Sequence, residues 1–317
     1  MKLNKMNTGK YLIASTSILI AMAILMFVSF TATSVFSVNN DAFNMTVDIG
    51  NTGPTIDSAT MLFNDSVAGA DIQLTASSDT NIVSCNATAS DVNGWQDIVS
   101  AAATFYHTTS TSAGLDDKNN HYRAGNGSLA VGSCNLGSGS GNTVPVVCQI
   151  YLEHEATNGT WTCNITVNDS GSLNAWNTTT NTVAQLVAMT VYNDTIAYGS
   201  MSPNTNSSTL AANVTNEGNV RIGVNVNGTA MVCNVTGSIP LANIKYNGTS
   251  AESYASGNMV ALTGSAVQVA GFTLVPQGIA PFADDQNATL NTYWAIGVPV
   301  GVKGTCTGTV TVTAIAV

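Results

Sequence analysis

Three acidic or amide side chains in one short stretch could hold a hard metal ion. Asp91, Asn93 and Asp97 lie in the turn-forming stretch DVNGWQD, and Asp169 follows a strand pattern further along the chain. Calcium takes six to eight oxygen ligands, and Asp-rich loops can supply them. The spacing is not that of the helix–loop–helix calcium loop, and Asn93-Gly94 capped by Asp91 also makes an ordinary tight turn. Calcium at Asp91, Asn93 and Asp97 and a plain turn are therefore the two interpretations, and no other cofactor is predicted.

Glu153, His154 and Glu155 form the second group of side chains that could do chemistry. Alternate residues of an extended chain share a face, so the two glutamates would lie together with His154 opposite. They could act as an acid and base pair only beneath a substrate cleft. A solvated strand end is the preferred interpretation of these residues.

The chain lacks the signatures of the common catalytic classes. It contains no Gly-x-Ser-x-Gly, no His-Glu-x-x-His and no phosphate-binding loop ending in Gly-Lys-Ser/Thr. The sequence therefore predicts a protein that is not an enzyme. An extracellular glycoside hydrolase that uses Glu153 and Glu155 is the least favoured alternative.

The cysteines indicate an oxidising compartment. There are six, an even number, and none forms a Cys-x-x-Cys pair, so a zinc or redox site is not expected. The six residues are Cys85, Cys134, Cys148, Cys163, Cys233 and Cys306.

The pairing of the cysteines is only partly determined by their order. If disulfides stay within domains, the last two pair with each other. The first four allow three connectivities. The preferred one joins Cys85 to Cys163, and Cys134 to Cys148 across a Gly/Ser-rich loop that has little else to hold it.

Asn-x-Ser/Thr triplets, the acceptor pattern for N-linked sugar, occur 15 times. With 35 Asn and 70 Ser or Thr in 317 residues, chance would give about eight. The excess predicts a glycosylated surface. The asparagines are Asn44, Asn64, Asn86, Asn126, Asn158, Asn164, Asn168, Asn177, Asn193, Asn206, Asn213, Asn227, Asn234, Asn247 and Asn287.

Charge is scarce and unevenly distributed. Only 8% of residues are charged, and Asn, Ser, Thr and Gly supply the remaining polarity. Lys2, Lys5 and Lys10 precede the first apolar run, whereas all 18 carboxylates follow it. Nucleic acid is therefore excluded as a partner, because phosphate binding needs clusters of basic residues.

The apolar run directs the rest of the chain out of the cell. Residues 11–30 are twenty positions without a charge, enough to cross a bilayer as a helix. The preceding lysines predict a cytoplasmic segment at 1–10, a transmembrane anchor at 11–32 and a linker at 33–44, with the bulk of the chain outside the cell membrane. A secretory signal peptide, cleaved after the small residues that follow residue 30, is the alternative.

Beyond the linker, apolar residues alternate with polar ones in short segments separated by turn signals. Val146, Cys148, Ile150 and Leu152 share one face of such a segment. No stretch shows a sustained helical period. The pattern predicts an all-β fold with two β-sandwich domains, at 45–191 and 205–317, joined by a linker at 192–204 that contains Gly and Pro.

Three stretches resemble known families of surface domains. NGTWTCNITVNDSGS places Trp161 two residues before Cys163 and resembles strand F of an immunoglobulin-like sandwich. That family usually has Tyr at this position, so the lack of a hydroxyl predicts that the corner hydrogen bond is missing. SDVNGWQDI resembles a loop of polycystic-kidney-disease-type modules in archaeal surface proteins, and VTNEGNVRIGVNVNGT resembles the strand–turn–strand of camelysin-like and WxL-like sandwiches.

These resemblances imply an archaeal, membrane-anchored cell-surface glycoprotein with tandem sandwiches. Its expected role is that of a structural or adhesive component of the cell envelope. Its expected partners are the membrane and other surface proteins or glycans. A filament subunit of the type IV pilin kind is the alternative, although Ala14 stands where that class has Glu after a cleavage site at Gly9.

Overall fold

A computed structural model describes residues 44–65, 70–77, 81–126, 132–278 and 287–317. Within these ranges the chain forms twenty strands and two single-turn 3₁₀ helices, which confirms the all-β prediction. The predicted cytoplasmic segment, anchor and most of the linker lie outside the described residues. Among the residues that are described, no helix is long and apolar enough to cross a membrane.

The chain divides into two compact units, Met1–Gly50 and Asn51–Val317. Of the first unit the structure describes residues 44–50, which are exposed and form no helix or strand. The second unit contains two separate clusters of buried apolar side chains, which we call the first core and the second core.

The first core is enclosed by one eight-stranded sheet. Its strands follow the order β1-β2-β6-β5-β4-β3-β7-β8, and neighbours are antiparallel except β4 and β5. A 3₁₀ helix, Trp95–Asp97, precedes β3. The strands are β1 (Thr55–Asp65), β2 (Asn81–Ser90), β3 (Ile98–His107), β4 (His121–Asn126), β5 (Ser133–Leu136), β6 (Thr143–Leu152), β7 (Gly159–Asp169) and β8 (Asn174–Val183).

Alternation of side chains builds the first core as the sequence predicts. In β2, β6 and β7 every second side chain is buried, and Val146 in β6 is among those fully enclosed. Disulfides join Cys85 in β2 to Cys163 in β7, and Cys134 in β5 to Cys148 in β6, the predicted pairs. Because β2 and β7 are not neighbours in the sheet, the first bond ties together two layers that face each other across the core.

Asparagine side chains connect the two ends of this sheet. Asn177 and Asn181 in β8 donate hydrogen bonds from Nδ2 to the carbonyl oxygens of Ile56 (3.1 Å) and Phe63 (2.7 Å) in β1. These side chains satisfy backbone groups that an open sheet edge would leave without partners. The eight strands therefore wrap around the core with little exposed edge between β1 and β8.

The sequence predicts that the corner hydrogen bond is missing, because Trp161 has no hydroxyl. In the structure, the indole N–H of Trp161 supplies a donor instead. Its ring is fully buried, and its indole Nε1–H donates to the carbonyl oxygen of Thr157 at 2.7 Å, four residues upstream. In immunoglobulin domains, the tyrosine at the corresponding position donates a hydrogen bond from its hydroxyl to a backbone group a few residues upstream. The prediction of a missing bond is therefore wrong, because the indole N–H is also a donor that reaches the backbone.

The second core lies between a six-stranded sheet, with β18 paired to β10, β11 and β15, and two three-stranded sheets, β17-β12-β20 and β14-β13-β19. Leu241–Asn243 forms the other 3₁₀ helix. The strands are β9 (Met189–Tyr192), β10 (Thr205–Asn206), β11 (Leu210–Asn216), β12 (Ile222–Gly228), β13 (Met231–Cys233), β14 (Ser238–Ile239), β15 (Ile244–Asn247), β16 (Val260–Ala261), β17 (Val267–Gln268), β18 (Thr289–Val298), β19 (Cys306–Thr307) and β20 (Val310–Ala316).

Two features stabilise the second core. The strand β18 is buried on both faces along its second half, with Trp294 and Ile296 in the core. The third disulfide joins Cys233 to Cys306, again the predicted pair, at a position where β13 and β19 lie side by side. The described part of the chain holds no free cysteine.

The chain crosses between the cores earlier than the sequence predicts. Strand β9, which begins within the predicted first sandwich, pairs with β11 of the second core. The predicted linker 192–204 packs Ile196, Tyr198 and Met201 against the second core. The Gly and Pro signals there mark a loop of the second half, and the crossing takes place at residues 184–188, before β9.

The buried turn Asn216–Asn219 between β11 and β12 holds the crossing segment. Asn219 donates from Nδ2 to the Ala184 carbonyl at 3.0 Å and accepts at Oδ1 from the Leu186 N–H at 2.7 Å. A Cβ at Gly218 would lie 2.1 Å from the Leu186 carbonyl oxygen, so only glycine fits. We call Asn216–Asn219 the joint turn.

Trp161→Phe should lower the free energy of unfolding by about 2–3 kcal/mol, because it leaves a small void and an unpaired carbonyl at Thr157. Urea unfolding followed by far-UV circular dichroism measures the change. Trp176→Phe is the matched control: Trp176 is 65% exposed, and the change should stay within about 0.5 kcal/mol. Equal effects of the two variants would contradict the assigned role of the indole N–H.

Candidate functional site

Three carboxylates meet at one end of the first core. Asp91 directly follows β2, Asp97 ends the 3₁₀ helix before β3, and Asp169 is the last residue of β7. Each offers a carboxylate oxygen, and the three oxygens lie within 4.8 Å of one another. The pairing of β3 with β7, in which Ile98 faces Asp169, brings these distant residues together. We call this group the carboxylate cluster.

The hydrogen bonds of the cluster leave one oxygen without a donor. Oδ1 of Asp91 accepts from the Asn93 N–H at 2.7 Å, whereas no group in the described part of the chain donates to Oδ2. Asp169 accepts from the Leu173 N–H at 2.7 Å and from Nδ2 of Asn51 at 2.8 Å. Asp91 is 1% and Asp169 3% exposed. Burying a charged oxygen without a partner is costly, so this arrangement is unusual.

Asn93 has a different use from the one that the sequence suggests. Its Oδ1 accepts a hydrogen bond from the Thr52 N–H at 2.9 Å, and its own N–H supports Asp91. Of the predicted ligand set, the structure places Asp91 and Asp97 together and brings in Asp169, which the sequence marks only as an acidic residue on another loop. Sequence reasoning missed Asn51, whose Nδ2 donates a hydrogen bond to Asp169.

The acid–histidine group is buried, not a solvated strand end as predicted. β6 ends at Leu152, and the following turn carries His154 and Glu155 inward, where they are 7% and 4% exposed. Nδ1 of His154 lies 3.0 Å from Glu155, and Nε2 lies 3.5 Å from Glu217 of the joint turn. Lys118 pairs with Glu153 and lies 3.6 Å from Glu155.

The histidine lies between carboxylates from both cores. Glu217 also accepts from Oγ of Ser77 (3.0 Å) and from Nε2 of Gln277 (3.3 Å). Burial raises the pKa of the Glu155 carboxyl, and the nearby His154 opposes that shift. Sequence reasoning missed Glu217, although a carboxylate inside a short turn between two alternating strands is a signal that could have found it.

The predicted glycosylation sites differ in access. Asn44, Asn193, Asn206, Asn234 and Asn287 are exposed, and most of the others are half-buried. Asn247 is buried: its Nδ2 donates to the Asn258 carbonyl at 3.0 Å, and its Oδ1 accepts from the Thr249 N–H at 2.7 Å. The Asn126 side chain lies outside the described part.

Trp95 and Trp176, the two tryptophans that are not buried in a core, have different surroundings. Trp176 projects from the outer face of β8, beside Thr166 of β7. Trp95 packs against the first core and closely approaches Gly139. Of the two tryptophans outside core positions, Trp176 alone presents its ring to solvent.

Comparisons with known proteins identify no family. No protein-family model matches the chain, and no curated protein matches it significantly. Among solved structures, a chaperone–tip adhesin complex of CFA/I fimbriae is similar over 87% of each chain at 6% identity and a TM-score of 0.31.

Two further solved structures are similar to the chain. One is a carbohydrate-binding module of the β-sandwich superfamily (11% identity, 84% of this chain and 98% of that one, TM-score 0.23). The other is the C-terminal domain of the Streptococcus agalactiae AgI/II polypeptide BspA (10%, 83% and 100%, TM-score 0.19). At these TM-scores the likeness assigns the chain to none of these families.

Replacing the buried Glu155 by Gln should change how stability depends on pH. A raised carboxyl pKa in the folded state contributes stability below the ordinary Glu value of about 4.3, and this contribution is lost as pH rises through the raised pKa. Gln cannot ionise. Glu155→Gln should therefore gain stability relative to wild type as pH rises above about 4, as measured by urea unfolding.

Glu252→Gln is the control of opposite sign. Hydrogen bonds from Asn258, Ser256 and Ser250 lower the pKa of Glu252. This variant should therefore lose stability relative to wild type as pH rises. A stability difference for Glu155→Gln that is constant across the pH range would contradict the burial of an ionisable carboxyl there.

Proposed function

We propose that the protein is a non-catalytic component of a cell envelope, exported across the membrane, anchored by residues 11–32 and N-glycosylated outside. Its role is structural or adhesive. The observation that carries the proposal is the state of the cysteines: all six are joined in three disulfides, two in the first core and one in the second. Such bonds are typical of proteins that fold in oxidising compartments.

Other observations support the same function. The acid–histidine group lies at the joint turn, where its carboxylates pair with Lys118 and His154. This buried setting among the described residues favours a structural role over acid–base catalysis, which needs an open cleft. The outer faces of β7 and β8 carry Thr and Asn, which suit sugar attachment or sugar contact. We further propose that the protein is an archaeal surface protein with two immunoglobulin-like sandwiches. Its proposed partners are other surface proteins or glycans.

The location is tested on intact cells that produce the full chain. External protease should digest the body of the protein, and intact mass under native conditions should show three disulfides and attached sugar. A mature chain that begins at Met1 supports the anchor, whereas one that begins at Lys10 supports the pilin-like alternative. Protection from external protease, or six free thiols with no sugar, would overturn the proposal.

Access of the asparagines predicts which sites carry sugar. Asn206→Gln should remove one glycan from the intact mass and change stability little, because Asn206 is exposed. Asn247→Gln should leave the glycan mass unchanged and lower the free energy of unfolding by about 1–3 kcal/mol, because buried hydrogen bonds are lost. Mass spectrometry and urea unfolding of both variants check this. Loss of a glycan from Asn247→Gln would contradict the assignment.

A further inference from the structure

We propose that the carboxylate cluster of Asp91, Asp97 and Asp169 binds one calcium ion. The proposal goes beyond the envelope function and does not rest on it. It differs from the sequence-based ligand set because Asp169 takes part, while the side chain of Asn93 is engaged with Thr52.

The charge of the cluster favours a bound cation. Three carboxylates offer oxygens within 4.8 Å of one another, and Asp91 and Asp169 are almost fully buried. Within the described ranges, no Lys, Arg or His forms an ion pair with any of the three. Like charges this close repel one another, and the repulsion is stronger where protein replaces water. A divalent cation between them would turn the repulsion into attraction.

The orphan oxygen of Asp91 points to the same conclusion independently. Hydrogen bonds fix Oδ1 of Asp91 and both oxygens of Asp169, and Ser170 Oγ donates to Asp97. Oδ2 of Asp91 is buried and lacks a donor within the described chain. A buried carboxylate oxygen that the protein itself does not satisfy is the position that a metal ligand occupies.

The chemistry of the donors favours calcium. All three are hard carboxylate oxygens, and the cluster contains no thiolate or imidazole of the kind that zinc and copper prefer. The three carboxylates come from a loop, a 3₁₀ helix and a strand end, so their geometry is irregular. Calcium tolerates irregular coordination of six to eight oxygens, whereas magnesium demands a near-ideal octahedron.

The ion would stiffen the place where the chain enters the second unit. Asn51 donates to Asp169, and the Thr52 N–H donates to Asn93, so the segment before β1 rests on residues of the cluster and its loop. Bound calcium would therefore hold together this entry segment, the loop after β2 and the turn after β7.

Calcium titration of the full chain, stripped with EDTA, tests the site. Wild type should bind one Ca²⁺ with a dissociation constant of about 10⁻⁴–10⁻³ M, the range of extracellular modules. Its melting temperature should rise with Ca²⁺. Hydrogen exchange should slow in peptides that cover residues 51–54, 91–98 and 168–173. Terbium luminescence sensitised by Trp95, and displaced by Ca²⁺, gives a second readout of occupancy.

Isosteric variants separate the site from general ion effects. Asp91→Asn and Asp97→Asn should each weaken Ca²⁺ binding at least about tenfold. Without metal, Asp91→Asn should be at least as stable as wild type, because one of three repelling charges is removed. Asp71→Asn, at an exposed carboxylate away from the cluster, should bind Ca²⁺ like wild type. Should Asp91→Asn fail to fold, the half-buried Asp97 still provides the test.

Three results would overturn the proposal. They are a wild-type melting temperature that does not respond to Ca²⁺, wild-type affinity in both Asp91→Asn and Asp97→Asn, and a response to Mg²⁺ equal to that to Ca²⁺. Protection from hydrogen exchange that appears elsewhere in the chain, and not in the three named segments, would equally contradict the assignment.

Discussion

The joint turn Asn216–Asn219 is the contact on which the arrangement of the two cores depends. Gly218 approaches the Leu186 backbone so closely that no side chain fits between them. The Asn219 side chain hydrogen-bonds the same crossing segment at the Ala184 carbonyl and at the Leu186 N–H. Because buried backbone groups need partners, the polar side chains of this turn allow an apolar connection to pass between the cores without a solvated linker. Glu217, in the same turn, reaches His154 of the first half.

The buried acidic side chains of the described residues are concentrated in two places. At the joint, Lys118 and His154 lie against the carboxylates, and burial of Glu155 is partly compensated. The carboxylate cluster, by contrast, has three like charges, and no basic residue among the described ones forms an ion pair with it. Buried ionic groups are stable only when paired or bound to metal. The first group satisfies that condition with side chains of the protein, and the second does not.

The local sequence pattern is enough to predict the strands of this fold, but not the contacts between residues that are distant in the sequence. The alternation around Val146 and Cys148 predicts buried strands because that signal lies within one element. The order of the cysteines leaves three connectivities open for the first four, because Cys85 and Cys163 are 78 residues apart. The meeting of Asp169 with Asp91 depends on how β3 pairs with β7, and that of Glu217 with His154 on a contact between two cores. Such registers are set by tertiary packing. Residues 192–204, where Gly and Pro predict a linker, pack instead against the second core.

The scarcity of charge also determines how this body responds to its surroundings. Exposed ion pairs contribute little to stability and are screened by salt, and here the surface relies on Asn, Ser and Thr, which salt does not screen. Disulfides, asparagine–backbone bonds such as Asn181 to Phe63, and buried apolar strands are likewise insensitive to ionic strength. Screening by salt therefore has few ion pairs to weaken in this body. A divalent cation would act differently from screening, because it would bind directly at the carboxylate cluster, where charge is concentrated and water is largely excluded.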